Sequence, residues 1–149
     1  MVLTILSFKD SDGKEIVPVW KIFESDSCLT DFLNTLPANQ QKNGRNLLSL
    51  IEDIYCGRRD PRSLPDDVCH EVRKNPKIWN LIKGDLRVLF FYDRDKVIVC
   101  AKTLIKDSQK LPEHDIGEAE KVYSAYQKTK MTKNLKGKSR KNNGNKRKK

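Results

Sequence analysis

The sequence contains no G-x-x-x-x-G-K-[ST] phosphate loop, no dinucleotide glycine fingerprint, no H-E-x-x-H motif and no G-x-S-x-G elbow. The nucleotide-cradling, zinc-hydrolase and serine-hydrolase classes that depend on those motifs are therefore without support. Histidine is scarce: only His70 and His114 occur, too few for a histidine-rich metal centre but enough for a single proton transfer. The four cysteines, Cys28, Cys56, Cys69 and Cys100, form no C-x-x-C pair. Neither a zinc site nor a disulfide scaffold is indicated, no metal or other cofactor is expected, and the thiols read as reduced. Cys100, flanked by Val99 and Ala101, reads as a buried thiol. No apolar run approaches the roughly 20 residues of a membrane span. The apolar start, Met1 to Phe8, lacks a charged n-region and runs into Lys9, Asp10 and Asp12, so a secretory leader is not expected. No internal repeat is visible.

What is present is one domain's worth of chain, 149 residues, with 37% hydrophobic residues and a formal charge of +10. That charge is unevenly placed. Residues 128–149 hold 11 of the 30 basic residues and no acidic one, leaving 19 basic against 20 acidic residues, a formal −1, for residues 1–127. The expected organisation is a near-neutral folded domain over 1–127 and a disordered basic tail over 128–149 that cannot bury enough to order itself. Such a run of cations attracts polyphosphate in a salt-dependent way. The candidate RNA contacts in it are Lys128, Lys130, Lys133, Lys136, Lys138, Arg140 and Lys141, and Lys146-Arg147-Lys148-Lys149 also has the composition of a nuclear signal.

Along the domain, Val2 to Phe8 and Ile16 to Phe23 read as a hairpin around the Asp12-Gly13 turn, with Pro18 placing the second arm at an edge or bulge. Helical spacing follows. Leu29, Phe32, Leu33 and Leu36 recur up to Pro37, and Leu47, Leu48, Leu50, Ile51, Ile54 and Tyr55 recur up to Gly57, which predicts an αα-hairpin. Residues 58–67 read as a loop. Ile78 to Ile82, Leu86 to Tyr92 and Val97 to Leu104 read as a three-stranded antiparallel meander, the middle run being apolar on both faces apart from Arg87. Asp115-Ile116-Gly117-Glu118 has capping-box spacing and predicts a closing helix of about three turns. The expected fold class is α+β: a strand pair and a helical hairpin packed on an antiparallel sheet, with a C-terminal helix.

One concentration of cations stands out. In such a meander the start of the Leu86 strand lies beside the end of the Val97 strand, which brings Arg87 to the same end of the sheet as Lys102, Lys106 and Lys110. A fork-shaped guanidinium with mobile ammonium groups suits phosphate recognition, although solvated lysines at a strand end have the same spacing. His70 reads as structural. His114 stands in the loop between the sheet and the last helix.

Leu104-Ile105-Lys106-Asp107-Ser108-Gln109-Lys110-Leu111-Pro112 resembles the F-x-K-K-T-x-K-x-P segment of the phage-derived, HigB-like branch of the RelE/ParE toxin superfamily. Ile78-Trp79-Asn80-Leu81-Ile82 and Gly84-Asp85-Leu86-Arg87-Val88 resemble its W-E-L-R and G-x-Y-R-v segments. The resemblance is firm over residues 76–127. It implies a RelE-like fold and the toxin of a type II toxin–antitoxin pair, acting in the cytoplasm as a ribosome-dependent mRNA endonuclease without metal or cofactor. Its partners would be mRNA, the ribosomal A site and a helix-turn-helix antitoxin, with no membrane. Arg87, Lys106 and Lys110 match the family's sheet arginine and loop lysines; Lys102 enters only by proximity. The family's acidic and basic W-E-L-R positions are Asn80 and Ile82 here, its second loop lysine is Asp107, and its tyrosine is Leu86. The proton shuttle is left to His114 or Tyr92. The alternative on the same fold is a non-catalytic nucleic-acid or ribosome-binding protein, or a ParE-like topoisomerase inhibitor.

Overall fold

A computed structural model of the chain describes residues 1–106 and 110–140, the last nine of them in backbone only. Strands β1 (Leu3–Ile5) and β2 (Lys21–Ser25) are followed by helices α1 (Cys28–Asn34) and α2 (Gln41–Cys56), four strands β3 (Cys69–Lys74), β4 (Lys77–Lys83), β5 (Leu86–Asp93) and β6 (Val97–Ile105), and helix α3 (Glu113–Arg140). The strands form one six-stranded sheet in the order β1-β2-β6-β5-β4-β3. This is the α+β architecture that the sequence predicts, and it is consistent with a RelE-like fold.

The sheet is mixed rather than purely antiparallel, because β2 runs parallel to β6, with Phe23 opposite Val99. The chain reaches that register by crossing from β2 to the far strands through α1 and α2, as a parallel connection requires. The N-terminal strand pair exists, but its arms are shorter than predicted. The Asp-Gly turn forms at the tip, where Asp10 Oδ1 accepts from the N–H groups of Asp12 and Lys14. Pro18 offers no N–H, and Val19 N–H bonds instead to Tyr55 O at 2.8 Å, so that part of the second arm leaves the hairpin for the end of α2. Pro18 precedes β2, which lies between two neighbours and is not an edge.

Helix α1 is capped from outside. The buried carboxylate of Glu24, on β2, accepts from Leu29 N–H and Thr30 N–H at 2.9 and 2.8 Å and from the Thr30 hydroxyl, satisfying donors that the helix itself leaves open. Helix α2 buries the stripe Leu47, Leu50, Ile51, Ile54 and Tyr55 and ends at Gly57, whose φ is 85°.

The sheet separates two cores. On one face α1 and α2 cover Ile22, Leu81, Leu86, Val88, Phe90, Ile98 and Cys100. On the other, α3 brings Ile116, Ala119 and Tyr126 onto Ile78, Leu89, Phe91, Val99 and Ala101. β5 is buried on both faces, as its sequence predicts, because it lies between β4 and β6 under helices from both sides. Cys69 and Cys100 are buried and all four thiols are free; burial pushes the Cys69 thiol up to about 11.

Strand β3 has no counterpart among the predicted elements. Only Cys69 and Val72 are apolar in it, which suits an edge strand with a bulge between Glu71 and Arg73 and leaves little periodicity to read. The meander is thus four strands long. The closing helix also differs. It starts at Glu113, so Asp115 lies in its first turn and is not the cap, and it continues past Gln127 to Arg140. Lys130 explains part of that extension, since it bonds to Asp93 at the end of β5. Residues 141–149 lie outside the described residues. Among the described residues no helix is long and apolar enough to cross a membrane.

Candidate active site

Arg87 stands second in β5, opposite Ile82 on β4 and Leu104 on β6. Strand alternation puts it on the α3 face, with Leu89 and Phe91. Its guanidinium turns back on the β4–β5 turn, where Nη1 donates to Gly84 O at 2.6 Å and to Leu86 O at 3.0 Å. Burial pushes its pKa down and Asp85 opposes the shift; the group stays charged at neutral pH.

The turn that presents those carbonyls is itself fixed. Lys83 pairs with Leu86, leaving Gly84 and Asp85 as the connection, and Gly84 has φ 58°. A Cβ on Gly84 would collide with the Asn43 amide, so this turn sits directly on the start of α2. Gln40 Nε2 donates to Asp85 Oδ2 at 3.0 Å, and Asn43 Nδ2 donates to Gln40 Oε1 at 2.9 Å. From the other side Lys106 N–H donates to Asp85 O at 2.7 Å. The loop lysine and the sheet arginine are therefore anchored to the same two-residue turn.

Lys102 lies opposite Leu89, on the same face as Arg87 and two positions along. Its Nζ is 3.8 Å from Asp115 Oδ1, so the first turn of α3 already neutralises it in part. Lys110 is exposed and near Glu113, whose carboxyl is held down by Arg73 first and by Lys110 in addition. His114 is exposed and lies one turn before Glu118 on α3. No hydrogen bond or ion pair joins His114 to Arg87 or Lys106 among the described residues. Tyr92 falls on the α1/α2 face, opposite to Arg87, and burial raises its hydroxyl far above neutrality. It is not placed to move a proton at this site.

The structure thus brings the Arg87 guanidinium and the Lys106 backbone to one turn, with Lys102 on the same face and Tyr92 on the other. Lys128 is exposed on α3. Lys130 is half-buried, 2.9 and 3.0 Å from the two Asp93 carboxylate oxygens and 5.6 Å from the centre of the Tyr126 ring. The side chains of Lys133, Lys136, Lys138 and Arg140 lie outside the described residues, as do Asp107 and Lys141.

Two residues that the sequence reading left outside the site, Asn80 as a departure from the family pattern and His70 as structural, share the Arg87 face. Asn80 is 3% exposed, and its Oδ1 has no hydrogen-bond partner among the described residues. It stands opposite Leu89 on β5 and opposite His70 on β3, so His70, Asn80, Leu89 and Lys102 form one cross-strand row beside Arg87. His70 is held by Asp66 O at 3.0 Å from Nδ1. Finding this row from sequence required recognising β3.

Residues 31–124 match the family model described as phage derived protein Gp49-like (DUF891). No curated protein and no solved structure matches the chain significantly.

Proposed function

The chain belongs to the phage-derived Gp49-like family, a family associated with RelE-type, toxin-like proteins, and from that premise we propose that it is a HigB-like toxin of a type II toxin–antitoxin pair. In this reading it works in the cytoplasm with a helix-turn-helix antitoxin as its partner, and it cleaves mRNA in the ribosomal A site by attack of a ribose 2′-OH on the adjacent phosphate. The observation that supports it is the convergence of Arg87 and Lys106 on the Gly84–Asp85 turn. Attack of the 2′-OH builds negative charge on the phosphorane oxygens, and fixed cations stabilise that charge more than they stabilise the ground state. Arg87 is the fixed group: only Nη1 is taken by carbonyls among the described residues, which leaves Nε and Nη2 for two phosphate oxygens. Lys106, and Lys110 beyond it, supply the mobile charges.

Primer extension across translated mRNA after induction tests the reading. The parent is expected to cut within codons and arrest growth, and Arg87→Ala with Lys106→Ala is expected to lower cleavage by at least about 10²-fold, the usual cost of losing one such donor. Cleavage that survives the double variant removes the site.

A second reading is favoured by one observation. Arg87 is bonded to two backbone carbonyls and Lys102 faces Asp115, an arrangement that also suits binding without cleavage. Growth arrest with intact mRNA would select it, and a change in DNA supercoiling would identify a topoisomerase as the target.

A further inference from the structure

A second concave surface lies at the far end of the sheet from Arg87. The β3–β4 turn closes on Lys74 opposite Lys77, while β5 runs on past it to Asp93. The step leaves a cleft of about 280 Å³ lined by Lys74, Asn75, Lys77, Trp79, Tyr92 and Tyr123. Tyr92 comes from the α1/α2 side of the sheet and Tyr123 from α3, so the cleft opens where the two faces meet. Arg87 and Tyr92 are five residues apart on one strand, a separation of about 17 Å.

The lining has two chemical parts. Trp79, Tyr92 and Tyr123 are each only partly buried, and the first two meet edge to face, with ring centres 5.7 Å apart. Tyr123 is fixed by its edge contact with Phe91 at 5.0 Å. Three braced rings around so small a volume offer faces for a planar heterocycle. At the mouth, Lys74 and Lys77 are exposed and directly opposite each other, a like-charge pair that disfavours itself and that an anion between them would relieve. Glu71 stands 3.9 Å from Lys77, at the limit of an ion pair and beyond hydrogen-bond distance. Rings and cations at this spacing suit a base with its phosphate. The basic run begins close by, since Lys128 follows Tyr123 on α3 by five residues.

We propose that this cleft takes one unpaired nucleotide of a single-stranded nucleic acid, its base against Trp79, Tyr92 and Tyr123 and its phosphate at Lys74 and Lys77. The site is separate from the Arg87 end and does not depend on cleavage.

The test is fluorescence anisotropy of labelled 12-nucleotide single strands, RNA and DNA of one mixed sequence, with the full-length protein over a series of salt concentrations. Trp79→Leu or Tyr123→Leu is expected to weaken binding about tenfold. Lys74→Ala with Lys77→Ala, both at the surface, is expected to flatten the slope of log affinity against log salt by about 0.7, the contribution of one phosphate contact on a single strand. The same strand annealed to its full complement as a blunt-ended duplex should bind without sensitivity to Trp79→Leu, because it presents no unpaired base. Loss on RNA alone, on DNA alone or on both identifies the strand and supports the site. Should Trp79→Leu fail to fold, the lysine pair and Tyr123→Leu decide. Affinity and salt slope equal to the parent in folded variants would overturn the proposal and leave binding to the basic run alone.

Discussion

Lys130 Nζ lies 2.9 and 3.0 Å from the two carboxylate oxygens of Asp93, joining the last residue of β5 to α3 three residues beyond Gln127. The Tyr126 hydroxyl donates to the same carboxylate, and the Tyr126 ring packs against Phe91 at 5.5 Å. The folded domain and its closing helix are therefore locked together by a cation that the sequence alone assigns to the basic tail.

This lock has a pH signature. Burial pushes the Asp93 carboxyl up, but the Tyr126 hydroxyl, Lys130 and the Arg94 N–H pull it down further, and the net shift is below its ordinary 3.8. A carboxyl lowered by folding stabilises the fold above its unfolded value, near 4, and loses that contribution as pH falls through the folded value. Asp93→Asn is expected to cost about 1–2 kcal/mol at pH 7, with the gap to the parent narrowing as pH falls below the ordinary carboxylate value. Thermal unfolding at pH 7, 5 and 3 measures it. A gap that is constant across the series would show that the carboxylate's charge contributes nothing.

Two truncations separate the lock from the charge that follows it. Ending the chain after Met131 removes nine of the 11 cations of residues 128–149 but keeps Lys130. Its melting temperature should match the parent, while its binding to single-stranded RNA loses most of its salt dependence. Ending the chain after Gln127 also removes Lys130 and should lower the melting temperature by a few degrees. Equal melting temperatures for the two truncations would remove the role given to Lys130.

Much of this molecule is legible in its sequence, and the illegible parts share a cause. α2 and β5 are read correctly because their apolar residues repeat at the period of the element they form. β3 is missed because an edge strand with one buried face and a bulge carries almost no period. The parallel β2–β6 pairing is non-local, and no short-range signal encodes it. The start of β5 and the end of β6 lie side by side, Arg87 opposite Leu104, because a short antiparallel turn fixes which strand ends meet. The His70–Asn80 row and the Lys130–Asp93 pair depend on cross-strand and helix–sheet register, which only the folded chain supplies.

Gly57 should resist substitution for two separable reasons. Its φ of 85° disfavours any side chain, and a Cβ there would stand 2.5 Å from Val19 Cγ2. Gly57→Ala is expected to cost about 2 kcal/mol, and adding Val19→Ala should recover the crowding part and leave the backbone part. A double-mutant cycle by urea unfolding reads the coupling, expected at about 0.5 kcal/mol or more. Strict additivity would show that the contact with Val19 has no energetic weight.

Gln40 offers a test of whether the turn positions Arg87. Its side chain is 7% exposed and ties Asp85 to Asn43, yet it is at the start of α2 and contacts neither Arg87 nor Lys106 by hydrogen bond among the described residues. Gln40→Met keeps the volume and removes both bonds, so the Gly84–Asp85 turn loses its hold on α2 while Lys106 N–H still reaches Asp85 O. Under the proposed function, cleavage in a purified translation assay should fall about tenfold in kcat with little change in KM for the ribosome, because the cations are still present but less well placed. Asp85→Asn keeps an oxygen acceptor for Gln40 Nε2 and should retain most of the activity. A merely structural role would lower the melting temperature of Gln40→Met and leave kcat of the folded fraction unchanged, and that outcome would sink the positioning role of the turn.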